Sequence, residues 1–250
     1  MKFLSIAKRE LLSFAVTPIV WVVATLFLLV EGYSFWLYVE LLNHRRTPHG
    51  AVLQYFFGGT FLYWLFLLFI AAVLTMRLLA EEKRQGTLEP LLTAPVDEWE
   101  VVVGKYAAAL ALWALLWAPT LFFVVVLRGY APPGAPLDWG PIAAGYLGTM
   151  LVGASALAVG TLASSLTRNQ IVAATVGFVA LAMLLLVGAL GDALVRGGAA
   201  SPLFRYVNLF RHMEDFGRGI VDTRHVVYHL SLAALCLFAA TRALGATKGR

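Results

Sequence analysis

The chain has 250 residues, 60% of them hydrophobic and 13% charged, with a mean hydropathy of +0.80 and a formal net charge of +5. Soluble domains carry about 25% charged residues and must cover themselves with polar groups, so this composition excludes a soluble protein. The apolar runs are continuous rather than alternating, which excludes an outer-membrane barrel. An all-α polytopic membrane protein is therefore predicted, with helices satisfying the backbone in lipid.

The first 14 residues predict an amphipathic helix that lies in the membrane interface. Lys2, Lys8, Arg9 and Glu10 are expected on its polar side. The alternative is a frayed tail. The segment is too charged for a cleavable signal, so we expect the chain to be retained whole.

Six membrane spans are predicted within a single transmembrane domain, because a bilayer core takes about 20 apolar residues as a helix. They lie at about 18–38, 55–76, 102–127, 141–165, 170–190 and 226–244. With both termini cytoplasmic, eleven Lys and Arg fall on the inner side and eight on the outer side. This modest positive-inside bias sets the predicted orientation. The long connections are then an inner loop at 77–101 and an outer loop at 191–225.

Glu31 is the one acid that falls clearly within a predicted span. An intramembrane carboxylate is costly and usually faces protein or water, which makes Glu31 a candidate for the substrate path. The simpler alternative is a wet site, or a partner for Arg45 or Arg46.

The inner loop at 77–101 concentrates charge, since six of the 14 acids fall at 81–100. We expect a charged helix to continue from the second span as far as Gly86, which is a natural helix stop. Thr87 then caps a short helix with Leu88, Leu91 and Leu92 on its apolar side, and Pro95 ends it. Such a helix below the membrane is a docking surface, whereas the alternative is a solvated loop.

The fourth span repeats small residues at four-residue spacing, which lets helix backbones approach closely. The repeat includes Gly145, Thr149, Gly153 and Gly160. This span is predicted to lie at the centre of the bundle or at a subunit interface, and we favour packing within the chain.

The outer segment before the last span carries acids and histidines that suggest a metal site: His212, Glu214, Asp215, Asp222, His225 and His229. We predict no metal here, because the acids fit no ligand spacing and no cysteine is near. The single cysteine, Cys236, is expected to be a small buried apolar residue.

The loop resembles the hallmark of ABC-2 type permeases, the membrane subunits of bacterial ABC transporters. The shared pattern E-x-K-x-x-G-T-L-E-x-L-L-T-x-P-V is carried here by Glu81, Lys83, Gly86, Thr87, Leu88, Glu89, Leu91, Leu92, Thr93, Pro95 and Val96. The segment 201–232 is also similar to these permeases, and the chain looks closest to the gliding-motility and nitrous-oxide-maturation types.

The resemblance implies a mechanism in which two permease chains pair in the bacterial inner membrane, as a homodimer or a heterodimer. Each docks on a separate ATPase subunit that binds ATP and Mg, and this loop carries the coupling helix. The residues that would couple to the ATPase are Glu81, Lys83, Gly86, Thr87, Leu88, Glu89, Leu91, Leu92 and Pro95. This chain itself is expected to be non-catalytic and without a cofactor, because it contains no G-x-x-x-x-G-K-[ST] phosphate loop.

Three functions stay open after the sequence. The leading one is the permease of an exporter, embedded in membrane lipid. The second is a mechanotransmission or assembly subunit that moves a periplasmic or extracellular partner without carrying cargo. The third, a membrane enzyme, is disfavoured because no convergent polar residues share one membrane depth. No nucleic-acid module is recognised.

Overall fold

The computed structural model describes residues 2–45, 56–87, 97–130, 138–194 and 201–246, and within these ranges every regular element is helical. The prediction of an all-α protein is confirmed. The helices are α1 Lys2–Val16, α2 Pro18–Arg45, α3 Phe61–Thr75, α4 Ala80–Gln85, α5 Glu98–Trp117, α6 Leu121–Tyr130, α7 Trp139–Leu166, α8 Gln170–Leu194, α9 Ser201–Val207, α10 Leu209–Gly217 and α11 Thr223–Gly245.

Among the described residues, six helical segments are long and apolar enough to cross a membrane, as predicted. They are Pro18–Leu37, Phe61–Gln85, Glu98–Gly129, Trp139–Leu166, Gln170–Leu194 and Thr223–Gly245. The third crosses a 3-10 turn at Ala118–Thr120 between α5 and α6. Pro119 accounts for this break, because proline lacks the N–H that a continuous α-helix requires.

Helix α7 is the central element and contacts α3, α4, α5, α8, α10 and α11. Its small residues receive large side chains from these neighbours. A Cβ added at Gly145 would lie 2.3 Å from Phe57, one at Gly153 would lie 2.1 Å from Trp113, and one at Gly160 would lie 2.1 Å from Thr75 Oγ1. The glycine positions therefore pack within the chain, and this close approach is the role that small residues have in membrane bundles.

The predicted outer loop contains two short helices joined at Asn208, of which α9 packs on α8 and α10 packs on α7. This pair of helices is called the hairpin below. His212, Met213 and Phe216 of α10 are completely buried. Glycines make the seat, because an added Cβ would lie 2.5 Å from Phe216 at Gly148 and 2.0 Å from Phe204 at Gly191. The segment after the hairpin turns sharply at Gly219, whose φ of 85° is accessible to glycine at little cost.

Helix α1 packs on α5, and its buried face includes a residue that was predicted on the polar side. Ile6, Ala7 and Phe14 are buried, whereas Leu4 and Leu12 are exposed. Glu10, placed on the polar side by the sequence pattern, is also buried. It turns inward because Lys105 of α5 supplies an opposite charge there, at 3.0 Å.

Candidate functional site

The second span reaches the loop through a turn, not through the continuous helix that the sequence predicts. Helix α3 ends at Thr75, residues 76–79 form the turn, and α4 begins at Ala80. The Ser164 hydroxyl of α7 fills this break. It accepts the N–H groups of Leu79 and Ala80 at 3.1 Å each and donates to the Met76 carbonyl at 3.1 Å. Buried backbone groups must be paired, so the hydroxyl fixes α4 to α7.

Two predicted coupling residues of α4 bind the far side of this junction. Lys83 donates to the Ser165 carbonyl at the end of α7, and Gln170 at the start of α8 donates to Glu81. Arg84 pairs with the same Glu81 carboxylate at 2.7 Å. Helix α4 is therefore tied to the adjoining ends of α7 and α8.

A buried ionic cluster ties α4 to α1 and α5. Lys105 contacts Glu10 and Glu82, each at 3.0 Å, and its side chain is only 2% exposed. Glu82 also meets Arg9 at 3.3 Å. Each buried charge here has an opposite partner, which offsets the cost of removing it from water. These four residues, Arg9, Glu10, Glu82 and Lys105, are called the ionic cluster below.

A polar cavity of about 570 Å³ lies beside the ionic cluster, between α1, α4, α5 and α8. Arg77 borders it and holds the junction of α1 and α2, donating to Thr17 Oγ1 at 2.9 Å and to Ser13 Oγ at 3.2 Å. Four helices, α1, α5, α7 and α8, thus converge on the short segment α4, which is the stem of the loop.

The loop leaves this stem at Gly86, as predicted. Gly86 has a φ of 70°, and the N–H of Thr87 bonds the Glu82 carbonyl at 3.1 Å. This is the six-to-one bond of a Schellman ending. The remaining predicted coupling residues, Leu88, Glu89, Leu91, Leu92 and Pro95, lie outside the described residues. The chain re-enters the bundle at Asp97, whose N–H donates to Glu100 at 3.3 Å as α5 begins.

Comparison with known proteins identifies the family to which this sequence belongs. The family model for "ABC-2 family transporter protein" matches residues 33–244, which is most of the chain and includes the loop.

The chain belongs to the ABC-2 transporter family.

A probable multidrug ABC transporter permease, YbhR of Escherichia coli K12, is 31% identical over 98 residues. The YbhR protein of Escherichia coli O157:H7 matches equally. The alignment covers 39% of this chain and 25% of each relative, so the chain spans only about a quarter of their length. The resemblance to the gliding-motility and nitrous-oxide-maturation types stays a prediction.

Glu31 lies in a buried aromatic region of this ABC-2 protein. Its surface is 4% exposed, and it forms no hydrogen bond or ion pair with a described residue. It is close enough to Tyr63 and Tyr146 to act on them electrostatically. Both rings contact Trp117, whose buried indole N–H also has no acceptor in the described part of the chain. Among the described residues, the region therefore holds an unpaired acid and an unpaired donor.

The histidines of the segment that is predicted to lie outside come together, although the residues the structure describes contain no trio of His, Cys, Asp or Glu arranged to hold a metal. His212 and His229 hydrogen-bond at 3.3 Å, and His225 bonds Asp215 at 2.9 Å. The i, i+4 spacing of His225 and His229 predicts that they share one face of a helix. Their partners from α10, His212 and Asp215, are brought to them only by the fold.

Sequence reasoning missed most of the residues that hold the coupling stem. They are Arg9, Glu10, Glu82, Lys105, Ser164 and Gln170. Lys105 did carry a signal, because it is a lysine within the apolar run VVVGKYAAAL. Its partners come from helices 95 and 23 residues earlier in the chain, so no local pattern identifies them.

Proposed function

We propose that this membrane permease subunit works in an exporter driven by a separate ATPase, which docks on the loop at 81–96. Membership of the ABC-2 family supports an ATPase partner and a second permease chain. ATP, with its Mg, is bound by the ATPase in this proposal, and this chain hydrolyses nothing. The whole chain is one transmembrane domain of the bacterial inner membrane.

The observation that carries the proposal is the attachment of α4. This six-residue helix bonds α1, α5, α7 and α8 through charged or hydroxyl side chains. A force that reaches α4 is therefore passed directly to four helices through these side-chain contacts. ATP drives transport only if it changes which permease conformation is favoured, and a rigid stem conveys that preference.

The orientation in the membrane is inferred from the end of the bundle that carries α4. Most of the predicted inner basic residues lie at this end, including Lys8, Lys83, Lys105 and Arg168. It is formed by α1, α4, the start of α5 and the turn between α7 and α8. Cytoplasmic loops carry such an excess. We place this end and both termini in the cytoplasm, with the charged loop as an electrostatic docking rim.

Co-purification and ATPase assays test the docking role. The permease and a candidate ABC ATPase, sought first in the adjacent reading frames, would be expressed together, with Glu89→Lys in the loop and Gly177→Ala as the control. Gly177 is buried against α7, but an added Cβ would meet only ordinary van der Waals contacts, with Gly160 Cα at 3.5 Å and Ala163 Cβ at 3.6 Å. Glu89→Lys should abolish co-purification and permease-dependent ATPase activity with normal membrane insertion. Unaltered coupling in this variant would reject the docking role.

Glu31 supplies the candidate substrate path of the exporter. A buried carboxylate with no partner among the described residues favours a cargo that carries positive charge or hydrogen-bond donors, and aromatic rings nearby also favour cations. In reconstituted vesicles, Glu31→Gln should slow ATP-dependent efflux of a cationic dye at least tenfold while ATPase docking persists. Equal efflux by the parent and the variant would remove Glu31 from the path.

Mechanotransmission is the alternative, because the coupling stem would serve it equally. In that case the ATPase would stimulate no efflux of any cargo, and the outer hairpin α9–α10 would bind a periplasmic or extracellular protein. Crosslinking from the hairpin in whole cells distinguishes the two functions.

A further inference from the structure

A chain of buried polar groups links the outer hairpin to the central helix. His212 Nε2 lies 3.1 Å from the Tyr206 carbonyl, and His212 Nδ1 lies 3.3 Å from His229 Nε2. His229 Nδ1 lies 2.9 Å from Ser155 Oγ, which in turn lies 2.9 Å from the Val152 carbonyl. His212 and His229 are completely buried, and Ser155 nearly so. These groups are called the histidine chain below.

The histidine chain has one hydrogen too few for its contacts. Its four heavy-atom contacts each need one hydrogen to become a hydrogen bond. Two neutral imidazoles and one hydroxyl supply three hydrogens in total. If His212 donates to Tyr206 and His229 donates to His212, then Ser155 must donate to His229 and abandons Val152. Every other neutral arrangement also leaves one contact without a hydrogen.

We propose that the histidine chain is a binding site for one proton taken from the outer side of the membrane. An imidazole nitrogen takes the proton from a hydronium ion and leaves water. Each imidazole then donates along the chain, Ser155 turns its hydroxyl to Val152, and all four contacts become hydrogen bonds. A second proton would place two cations in direct contact at His212 and His229, so binding stops at one.

The surroundings of the site set its affinity. His225 stacks on His212 with ring centroids 4.0 Å apart, and a proton on one ring repels a proton on the other. Asp215 and Asp222 act in the opposite direction on His212. Helices α3 and α7 contribute no charged residue, and α8 contributes only Asp192. The other charged or titratable groups of the hairpin and of the start of α11 are Arg205, Tyr206, Arg211, Glu214, Arg218, Arg224 and Tyr228.

The proton site is linked to the position of the hairpin. Burial, and then the nearness of His225, lowers the pKa of His212 to about 4 while the hairpin is seated. A hairpin displaced toward water would return this pKa toward its ordinary value of about 6.5. The cost of burying the charge therefore outweighs the completed hydrogen bonds, and proton binding favours the displaced position, because a ligand shifts the equilibrium toward the state that binds it better. External acid would loosen the hairpin from α7.

Nuclear magnetic resonance of ¹⁵N-histidine in the full chain, held in lipid nanodiscs, tests the proposal between pH 7 and pH 3.5. We expect His212 and His229 to titrate together and to take up one proton per chain. Ser155→Ala removes the acceptor of the surplus hydrogen bond and should lower the proton affinity of the histidine chain about tenfold. Ser155→Thr keeps the hydroxyl and should titrate like the parent.

His225→Gln should change the proton affinity in the opposite direction to Ser155→Ala, which a role in packing alone does not predict. Removing the stacked ring should raise the proton affinity of the pair. Two independent protonations, no uptake before unfolding, or equal effects of Ser155→Ala and Ser155→Thr would each overturn the proposal. The proton count in the parent protein needs no variant, so a variant that fails to fold leaves the test intact.

Discussion

Lys105→Met tests whether the ionic cluster holds the coupling stem to the bundle. Methionine keeps the length of the side chain but removes the charge that faces Glu10 and Glu82, both at 3.0 Å. Removing one partner of a buried ion pair costs about 3–5 kcal/mol, because the remaining charge stays buried. Glu82 retains Arg9, but this residue is 61% exposed and such a contact is worth at most about 1 kcal/mol. Glu10 retains no partner of opposite charge among the residues that the structure describes.

The expected loss of unfolding free energy is therefore about 3 kcal/mol, at the lower end of that range. SDS-induced unfolding in mixed micelles measures it, with Arg9→Gln as an exposed control that should change stability by less than about 1 kcal/mol. Adding Glu10→Gln to Lys105→Met should recover about half of the loss, since the uncompensated charge disappears. A loss below about 1 kcal/mol, or no recovery in the double variant, would refute the reasoning.

Three further outcomes follow from the structure. Gly86→Ala should weaken ATPase coupling, because an alanine at the φ of 70° adds about 1 kcal/mol of backbone strain, whereas nothing lies within 4 Å of the added Cβ. Gly86→Asn tolerates this φ and should couple nearly normally. Equal activity of both variants would contradict the strain argument. Gly160→Ala should destabilise the protein by about 1–3 kcal/mol in SDS unfolding, because the added Cβ overlaps Thr75, whereas Gly177→Ala should be neutral. If Gly160→Ala is neutral, α3 can shift to make room for the added methyl group. Folding lowers the pKa of His212 to about 4, so the unfolded chain binds more protons than the folded chain below pH 6.5. The stability that is present above pH 6.5 should therefore fall by roughly 3 kcal/mol as the pH drops to 4. Thermal unfolding across this range should show a flatter pH profile for His212→Gln, and an unchanged profile would exclude His212 as the cause.

Much of the fold follows from hydropathy alone. A run of apolar residues in lipid satisfies its backbone groups as a helix, so the all-α class and the number of spans could be predicted. The stop at Gly86 was also predictable, because a left-handed ending needs a residue without Cβ. The turn at 76–79 was not, because its backbone groups are satisfied by Ser164, 85 residues away from Leu79.

The coupling site was also predictable only in part. The local pattern at 81–96 identifies the loop and its family, but the partners of its stem come from α1, α5, α7 and α8. Lys105 and Glu10 are each anomalous in sequence, a charge in an apolar run and an acid in a basic helix. Only their meeting explains why the chain tolerates both.

The amino-acid sequence by itself determined the membrane solvent, the number of crossings and the place where charge gathers, because each of these depends on neighbours along the chain. The tertiary structure decided which charges are paired, that Glu10 points inward and that His212 reaches His229. Those outcomes depend on the low-dielectric interior, where a polar group is stable only beside a partner that folding brings to it.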